Sequence, residues 1–233
     1  MKLVIKNLSK SYDEYEVLED INMEFEEGKI YGILGKNGSG KTTLFNILGG
    51  ELEYNNGEFY LEDKNKKETL DDSNVGYMLS EIMLPDFLTG YEFIKFYIEV
   101  NCPKELKNID KYFEMIDFNP EYINKIIKSY SLGMKNKIQL LINLISKPKL
   151  FLLDEPLTSF DVVAAKEIKD IIKDMKKGRI IIFSTHILEL AESMCDEIII
   201  LNNKKLTKLS DEITKDKNFE KKIVEILSND NQD

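Results

Sequence analysis

The segment Gly35-Lys36-Asn37-Gly38-Ser39-Gly40-Lys41-Thr42 constrains this chain more than any other stretch of its sequence. It fits the pattern GxxxxGK followed by Ser or Thr, and it lies between an apolar strand-like run, 29–34, and a helical pattern that ends at Gly49-Gly50. Glycines let the backbone curl so that successive N–H groups point at phosphate oxygens, and a following helix directs its positive dipole end at the same anion. The sequence therefore predicts a nucleotide phosphate site here.

Individual side chains of this phosphate loop have predicted roles. Lys41 should reach the β- and γ-phosphates, and the hydroxyl of Thr42 should ligate Mg²⁺. Thr43 follows directly and is predicted to bind the nucleotide with them. The alternative is a glycine turn that includes a lysine by chance, and a glycine usage of about 7% makes such a match rare.

A second feature lies far downstream, where an apolar strand ends in two carboxylates. Leu150–Leu153 is followed by Asp154 and Glu155. Consecutive strand residues point to opposite faces, so the two carboxylates cannot play the same role. One suits Mg²⁺, directly or through water, and the other can polarise an attacking water. An exposed acidic turn before Pro156 is the alternative, but downstream of a phosphate loop the functional interpretation is favoured.

Composition excludes several classes of protein. The 233 residues carry Lys+Arg 32 against Asp+Glu 42, a formal net charge of −10, which argues against a general affinity for nucleic acid. No apolar run approaches the ~20 residues needed to cross a bilayer, and we expect no signal peptide at the start. Cys102 and Cys195 lie far apart without metal-ligand spacing, which predicts a reduced cytosolic protein.

The order of strand-like and helix-like segments predicts an α/β fold. Continuous apolar strands that alternate with helices imply a parallel sheet covered on both faces. We predict one domain over 1–233, with an α/β core formed by 1–79 and 149–233 and a helical subdomain over 80–148. A hairpin is predicted around Asn55-Asn56-Gly57. The segments predicted as helices within the subdomain are Tyr91–Val100, Lys107–Asp117, Pro120–Ile127 and Leu132–Ile145.

Three further segments complete an ordered set of motifs. Tyr130-Ser131-Leu132-Gly133-Met134-Lys135 opens a predicted helix with Ser131 as its N-cap, Asp161 follows the two carboxylates, and His186, the only histidine, ends an apolar strand. Together with the phosphate loop and the carboxylate strand, this order resembles that of the nucleotide-binding subunit of an ABC transporter over nearly the whole chain. The 130–135 segment is most similar to ATPases of bacitracin- and lantibiotic-type exporters.

The resemblance implies a P-loop NTPase core with a parallel sheet, an N-terminal antiparallel β subdomain and an inserted α-helical subdomain. It also implies ATP and Mg²⁺ as cofactors. Tyr12 would stack on adenine, the loop from Gly35 to Thr43 would hold the phosphates, and Asp154 would ligate the metal with Thr42. Glu155 would act as the base or orient the water, and His186 would hold the γ-phosphate beside Lys41.

The resemblance also implies partners. Two ATPase subunits, identical or different, would pack head to tail, with each nucleotide between the phosphate loop of one and Ser131 and Gly133 of the other. A transmembrane permease subunit would hold the pair at the cytoplasmic face of the cell membrane and convert their motion into export of peptides or antimicrobial compounds. The substrate itself is not encoded here, because selectivity belongs to the transmembrane chain.

Two positions depart from the family pattern. A glutamine that contacts Mg²⁺ and the attacking water usually follows the strand at 75–79, but here the position is Ser80, followed by Glu81. Ser80 is placed with the metal-binding residues, yet its side chain is too short to reach as glutamine does. A water can substitute, Glu81 can take part, or the contact is missing and turnover is slower; these alternatives stay open. Leu132 replaces a usual glycine, and we expect ordinary helical backbone there because positive φ is costly for leucine.

Two other functions stay open beside export: a soluble ABC ATPase without a transport role, and a weakly hydrolysing partner of an ABC heterodimer. An aromatic series with helical spacing bears on whether the chain contacts a membrane subunit. Such spacing is typical of a core-facing helix, and the alternative is a groove that receives a short cytoplasmic helix of a membrane subunit. The residues of this series are Phe87, Tyr91, Phe93, Phe96 and Tyr97.

Overall fold

A computed structural model describes residues 1–78, 82–157, 162–210, 213 and 218–228 of the chain. Its strands form two sheets, one of four strands in the order β2-β1-β4-β5 and one of six in the order β10-β9-β3-β8-β7-β6. The strands are β1 Lys2–Tyr12, β2 Tyr15–Glu26, β3 Ile30–Leu34, β4 Asn56–Asp63, β5 Lys66–Glu68, β6 Val75–Met78, β7 Leu150–Asp154, β8 Ile180–Thr185, β9 Glu197–Asn202 and β10 Lys205–Lys208. The helices are α1 Lys41–Leu48, α2 Gly90–Asn101, α3 Ile109–Met115, α4 Pro120–Ile123, α5 Leu132–Ser146, α6 Val162–Met175, α7 Leu188–Met194 and α8 Phe219–Ser228.

The six-stranded sheet is the parallel sheet that the apolar runs predict. Strands β9, β3, β8, β7 and β6 pair in parallel, and β10 closes the edge by pairing antiparallel to β9. Every residue of β3, β7 and β8 is buried, as expected for strands covered on both faces. One face packs on α1 and the four-stranded sheet, while the other packs on helices α2 to α6.

The four-stranded sheet is antiparallel and contains longer strands than the sequence predicts. The predicted hairpin around Asn55-Asn56-Gly57 is wrong, because Asn56 and Gly57 begin β4. The turn lies instead at Lys64 and Asn65, which have φ values of 48° and 63° between β4 and β5. Gly57 serves a close approach of two strands, since a Cβ there would come within 2.6 Å of the Asn7 carbonyl oxygen.

Helices α2 to α5 occupy the chain between β6 and β7. The predicted helices over 91–100 and 132–145 are confirmed as α2 and α5. The predicted helix over 107–117 is a 3₁₀ segment, Pro103–Asn108, followed by α3. The helix predicted over 120–127 ends at Ile123, because the Ile127 amide turns away to donate to the Leu88 carbonyl. The subdomain boundaries at 79/80 and 148/149 stay a prediction.

The aromatic series of α2 and the preceding loop divides between core and surface. Tyr91, Phe93 and Tyr97 pack against the buried cluster on this side of the sheet. Phe87 and Phe96 are 80% and 59% exposed. The core interpretation therefore holds for part of the series only. Among the described residues, no helix combines the length and apolar character that crossing a membrane requires.

We predict that the cap of α2 stabilises the fold measurably. The Thr89 hydroxyl accepts from the Glu92 amide at 3.1 Å, and the Glu92 carboxylate accepts from the Thr89 amide at 2.9 Å. Replacing Thr89→Ala should lower the free energy of unfolding by about 1 kcal/mol, because the Glu92 amide at the helix end loses its acceptor and the Glu92 carboxylate loses the hydroxyl that donates to it. Urea unfolding followed by circular dichroism measures this. Thr89→Ser retains the hydroxyl and should lose little; equal destabilisation of both variants would contradict the prediction.

Candidate functional site

The phosphate loop connects β3 to α1 at the carboxyl edge of the parallel sheet. Its backbone needs glycine at two positions, since Gly38 has φ 82° and Gly40, the N-cap of α1, has φ 102°. Gly40 is also tightly packed, because a Cβ there would lie 2.9 Å from Cγ1 of Val17. The loop thus takes the curled form that presents amides and the start of a helix to an anion.

The Lys41 side chain is held inside this loop. It is buried, and its Nζ donates to the carbonyl oxygens of Gly35 at 2.8 Å and of Lys36 at 3.0 Å. Burial lowers the pKa of Lys41, while the nearby charges of Glu155 and Asp154 raise it. An ammonium group held this way can exchange backbone oxygens for phosphate oxygens without leaving the loop.

Asp154 joins the ends of three elements. Its buried carboxylate accepts from the Thr42 hydroxyl at 2.9 Å through Oδ2 and from the Ser184 hydroxyl at 2.5 Å through Oδ1. Asp154 and Ser184 lie opposite each other in the parallel pairing of β7 with β8. The carboxylate is therefore fixed beside the first turn of α1, where a predicted metal ligand would have to lie.

Glu155 follows immediately and has a strained backbone. Its φ is 51°, a region that non-glycine residues rarely adopt, and its amide donates to the Ser184 hydroxyl at 3.2 Å. Its Oε1 lies 2.9 Å from Nδ1 of His186, which follows the last residue of β8. Strain of this kind is found disproportionately at functional sites. Ser184 thus contacts both carboxylate residues, a role that its sequence position alone does not reveal.

These side chains surround a cavity of about 280 Å³. Its lining residues are Val17, Asn37, Gly38, Gly40, Lys41, Thr42, Thr43, Asp154 and Glu155. A neighbouring cavity of about 250 Å³ is lined in part by Lys36, Ser39 and Tyr15. The predicted phosphate, metal and catalytic residues of the loop and the carboxylate strand therefore converge. Val17 and Tyr15 were not predicted, because nothing in the sequence of β2 marks them.

The remaining predicted residues lie apart from the 280 Å³ cavity. Tyr12, at the end of β1, is 46% exposed, with the Lys10 ammonium 4.8 Å from its ring centroid. Ser131 and Gly133 are absent from the cavity's described lining residues. Ser131 caps α5 by accepting from the Met134 amide at 3.3 Å, and its exposed hydroxyl still has a proton to donate.

Leu132 and Ser80 are the two positions that depart from the family pattern. Leu132 is the first residue of α5 and does not have positive φ, which confirms ordinary helical backbone at that position. Ser80, predicted as a metal-binding residue, and its neighbour Glu81 lie outside the described residues, as does Asp161.

The donor set around Thr42 and Asp154 fits Mg²⁺. Mg²⁺ prefers oxygen ligands, binds through one or two protein groups, and keeps several waters. The Thr42 hydroxyl and the Asp154 carboxylate are adjacent oxygen donors beside the phosphate loop. Two adjacent oxygen donors beside a phosphate loop suit an ion whose remaining ligands are phosphate oxygens and waters.

Comparison with known proteins identifies the family. A family model described as ABC transporter matches residues 18–158, more than half of the chain. The chain is 34% identical over 203 residues to an uncharacterized ABC transporter ATP-binding protein, YxlF of Bacillus subtilis, covering 86% of this chain and 68% of that protein. It is 32% identical to the lantibiotic transport ATP-binding protein SrtF of Streptococcus pyogenes, covering 84% and 85%. It is 31% identical to the bacitracin transport ATP-binding protein BcrA of Enterococcus faecalis, covering 87% and 67%.

Solved structures show the same fold. An ATP-binding subunit of an ABC transporter superposes with a TM-score of 0.84 at 22% identity, over 98% of this chain and 100% of that one. A dimeric ATP-binding cassette with ADP and Pi bound superposes with a TM-score of 0.76 at 23% identity, over 89% and 99%. The predicted fold class is confirmed. The chain belongs to the ABC transporter family, as an ATP-binding subunit with ATPase activity.

Proposed function

We propose that this chain hydrolyses Mg²⁺-bound ATP to power export by a membrane transporter. The observation that carries the proposal is the 2.9 Å pairing of His186 with Glu155, which lines the same cavity as Lys41. A carboxylate oriented by an imidazole beside a phosphate-binding lysine has the parts that phosphoryl transfer to water requires.

Each residue has a defined task in this proposal. The phosphate-loop amides and the Lys41 ammonium hold the β- and γ-phosphates, and Thr42 and Asp154 would hold Mg²⁺, which supplies charge neutralisation when bound. Glu155 accepts a proton from the attacking water as the new bond to the γ-phosphorus forms and the bond to the ADP oxygen breaks. His186 orients Glu155 through its Nδ1 and faces the γ-phosphate with the rest of its ring.

A second ATPase subunit completes the site in this proposal. Ser131 and Gly133 lie outside the cavity of their own chain, while the Ser131 hydroxyl is exposed at the start of α5. A hydroxyl at a helix N-terminus suits a γ-phosphate, and a neighbouring molecule can present it across an interface. Tyr12 would stack on the adenine. The dimeric form of a solved cassette with the same fold supports a dimer, identical or mixed.

The permease is the remaining partner. Phe87 and Phe96 are exposed on the helical part of the fold and suit contact with a transmembrane subunit at the cytoplasmic face of the membrane. The names of SrtF and BcrA support export of peptides or antimicrobial compounds. Ser80 belongs to the metal-binding set in this proposal.

We predict that Glu155→Gln slows hydrolysis by about 10²-fold or more while ATP still binds, because the amide cannot accept the proton from water. Steady-state phosphate release measures turnover, and gel filtration with Mg·ATP measures dimers, which should accumulate. Glu192→Gln, an equal charge change at an exposed position of α7, is the matched control and should retain full activity. Near-normal turnover in Glu155→Gln would remove Glu155 from its proposed role.

We predict that Lys41→Ala abolishes nucleotide binding, because the γ- and β-phosphates lose their cation and the loop loses the bonds to two carbonyls. Binding is measured by titration with a fluorescent ATP analogue. Lys36→Ala removes a lysine from the outer side of the same loop and should weaken binding far less. Retained affinity in Lys41→Ala would contradict the phosphate-site assignment.

We predict that Thr42→Val weakens ATP binding in the presence of Mg²⁺ and changes it little without Mg²⁺. Valine keeps the shape of threonine but removes the hydroxyl that bonds to Asp154, so the gain in ATP affinity on adding Mg²⁺ should fall by about tenfold. Affinity without Mg²⁺ should change little. Thr42→Ser, which keeps the oxygen donor, should behave like the parent chain, and an unchanged Mg²⁺ effect in Thr42→Val would overturn the metal assignment.

A further inference from the structure

A third cavity, here called the basal cavity, lies at the opposite end of the parallel sheet from the nucleotide site. It has a volume of about 490 Å³, within the range of roughly 300–1,000 Å³ typical of small-molecule sites. Its walls come from α3, from the C-terminal ends of α5 and α6, and from Arg179 just before β8. Because β8 begins here and ends at the Ser184–His186 segment, this cavity and the nucleotide cavity lie at opposite ends of the strand.

The floor of this basal cavity is apolar. Tyr112, Leu144 and Met175 line it and are each less than 10% exposed, so they are anchored in the core behind the cavity. Ile171 and Met115 add apolar surface at its side. An opening onto anchored apolar side chains accepts an apolar body without a large rearrangement.

The rim of the basal cavity carries positive charge. Arg179 is the single arginine of the chain, and Lys111 and Lys147 line the same cavity. Asp174 also lines it, but the described ion pairs include none between Asp174 and either Arg179 or Lys111. The Arg179 Nη1 donates to the Met175 carbonyl at 2.9 Å. This bond fixes the guanidinium against the apolar floor and leaves other donors of its planar fork available.

Electrostatics at Arg179 favour an incoming anion. Burial alone lowers the pKa of Arg179, with no carboxylate in the described structure raising it. A half-buried cation without such a partner is destabilised relative to water, and an acid placed beside it relieves that cost. A planar acid suits the guanidinium best, because the two groups can form parallel hydrogen bonds.

We propose that the basal cavity binds a small amphipathic acid, whose apolar body lies on Tyr112, Leu144 and Met175 and whose anionic group contacts Arg179 and Lys111. The proposal is independent of the export function and of every residue placed in the ATP site. The ligand would bridge α3 and α5 on one side to α6 and the start of β8 on the other, without displacing ATP.

The test uses two fluorescent probes that share an apolar body. 8-Anilinonaphthalene-1-sulfonate carries an anionic group, and N-phenyl-1-naphthylamine is its neutral counterpart. Both are titrated into the full chain, with and without saturating Mg·ATP. Arg179→Gln and Lys111→Gln remove, one at a time, the two cations proposed to contact the anionic group. Lys173→Gln makes the same charge change at an exposed position of α6 and is the matched control.

We expect one saturable site for the sulfonate probe, with affinity reduced by about tenfold in Arg179→Gln and by a smaller factor in Lys111→Gln. Lys173→Gln and Mg·ATP should leave the affinity unchanged, and the neutral probe should bind all variants equally. Lys111 is exposed, so its variant tests the proposal even if Arg179→Gln does not fold. Equal sulfonate binding by Lys111→Gln and Lys173→Gln, or displacement of the probe by Mg·ATP, would overturn the proposal.

Discussion

The parallel alignment of β3, β8 and β7 is the constraint on which the rest of the site depends. Parallel strands present their carboxyl ends at one edge of the sheet, so the phosphate loop after β3, the carboxylates after β7 and the histidine after β8 meet there. Their distance along the chain is immaterial once the strands pair. Thr42 and Asp154 lie 112 positions apart in sequence and share a hydrogen bond of 2.9 Å.

The fold holds two residues of the site, Lys41 and Glu155, in energetically unfavourable states. Lys41 is buried and bonded to backbone oxygens, which keeps an ammonium in a low-dielectric environment. Glu155 adopts positive φ, and its amide is held by Ser184. Such states persist only when surrounding structure over-determines them, here the buried strands of the parallel sheet. The same features suit a site that exchanges internal contacts for those of a nucleotide.

The residues proposed to act on the γ-phosphate divide between two surfaces of the same molecule. Those on the loop and the carboxylate strand share one cavity, whereas Ser131 lies on α5 with its hydroxyl exposed. Tyr130, next to it, is tied into the helical part of the fold. Its hydroxyl donates to the Tyr122 carbonyl at 2.8 Å and accepts from the Gly90 amide at 3.1 Å. The residue before Ser131 is therefore hydrogen-bonded to the N-terminus of α2.

The amino-acid sequence alone determined the phosphate loop, the carboxylate strand, the order of motifs and the parallel sheet, because each depends on local pattern: glycine spacing, apolar runs and strand polarity. It misplaced the hairpin at 55–57, since a glycine that allows two strands to approach looks like one that makes a turn. The contacts of Ser184 with both Asp154 and Glu155, and the cavity that Arg179 and Lys111 share, are visible in the three-dimensional structure alone. Those neighbours are created by strand register and helix packing, which bring together residues that no local pattern connects.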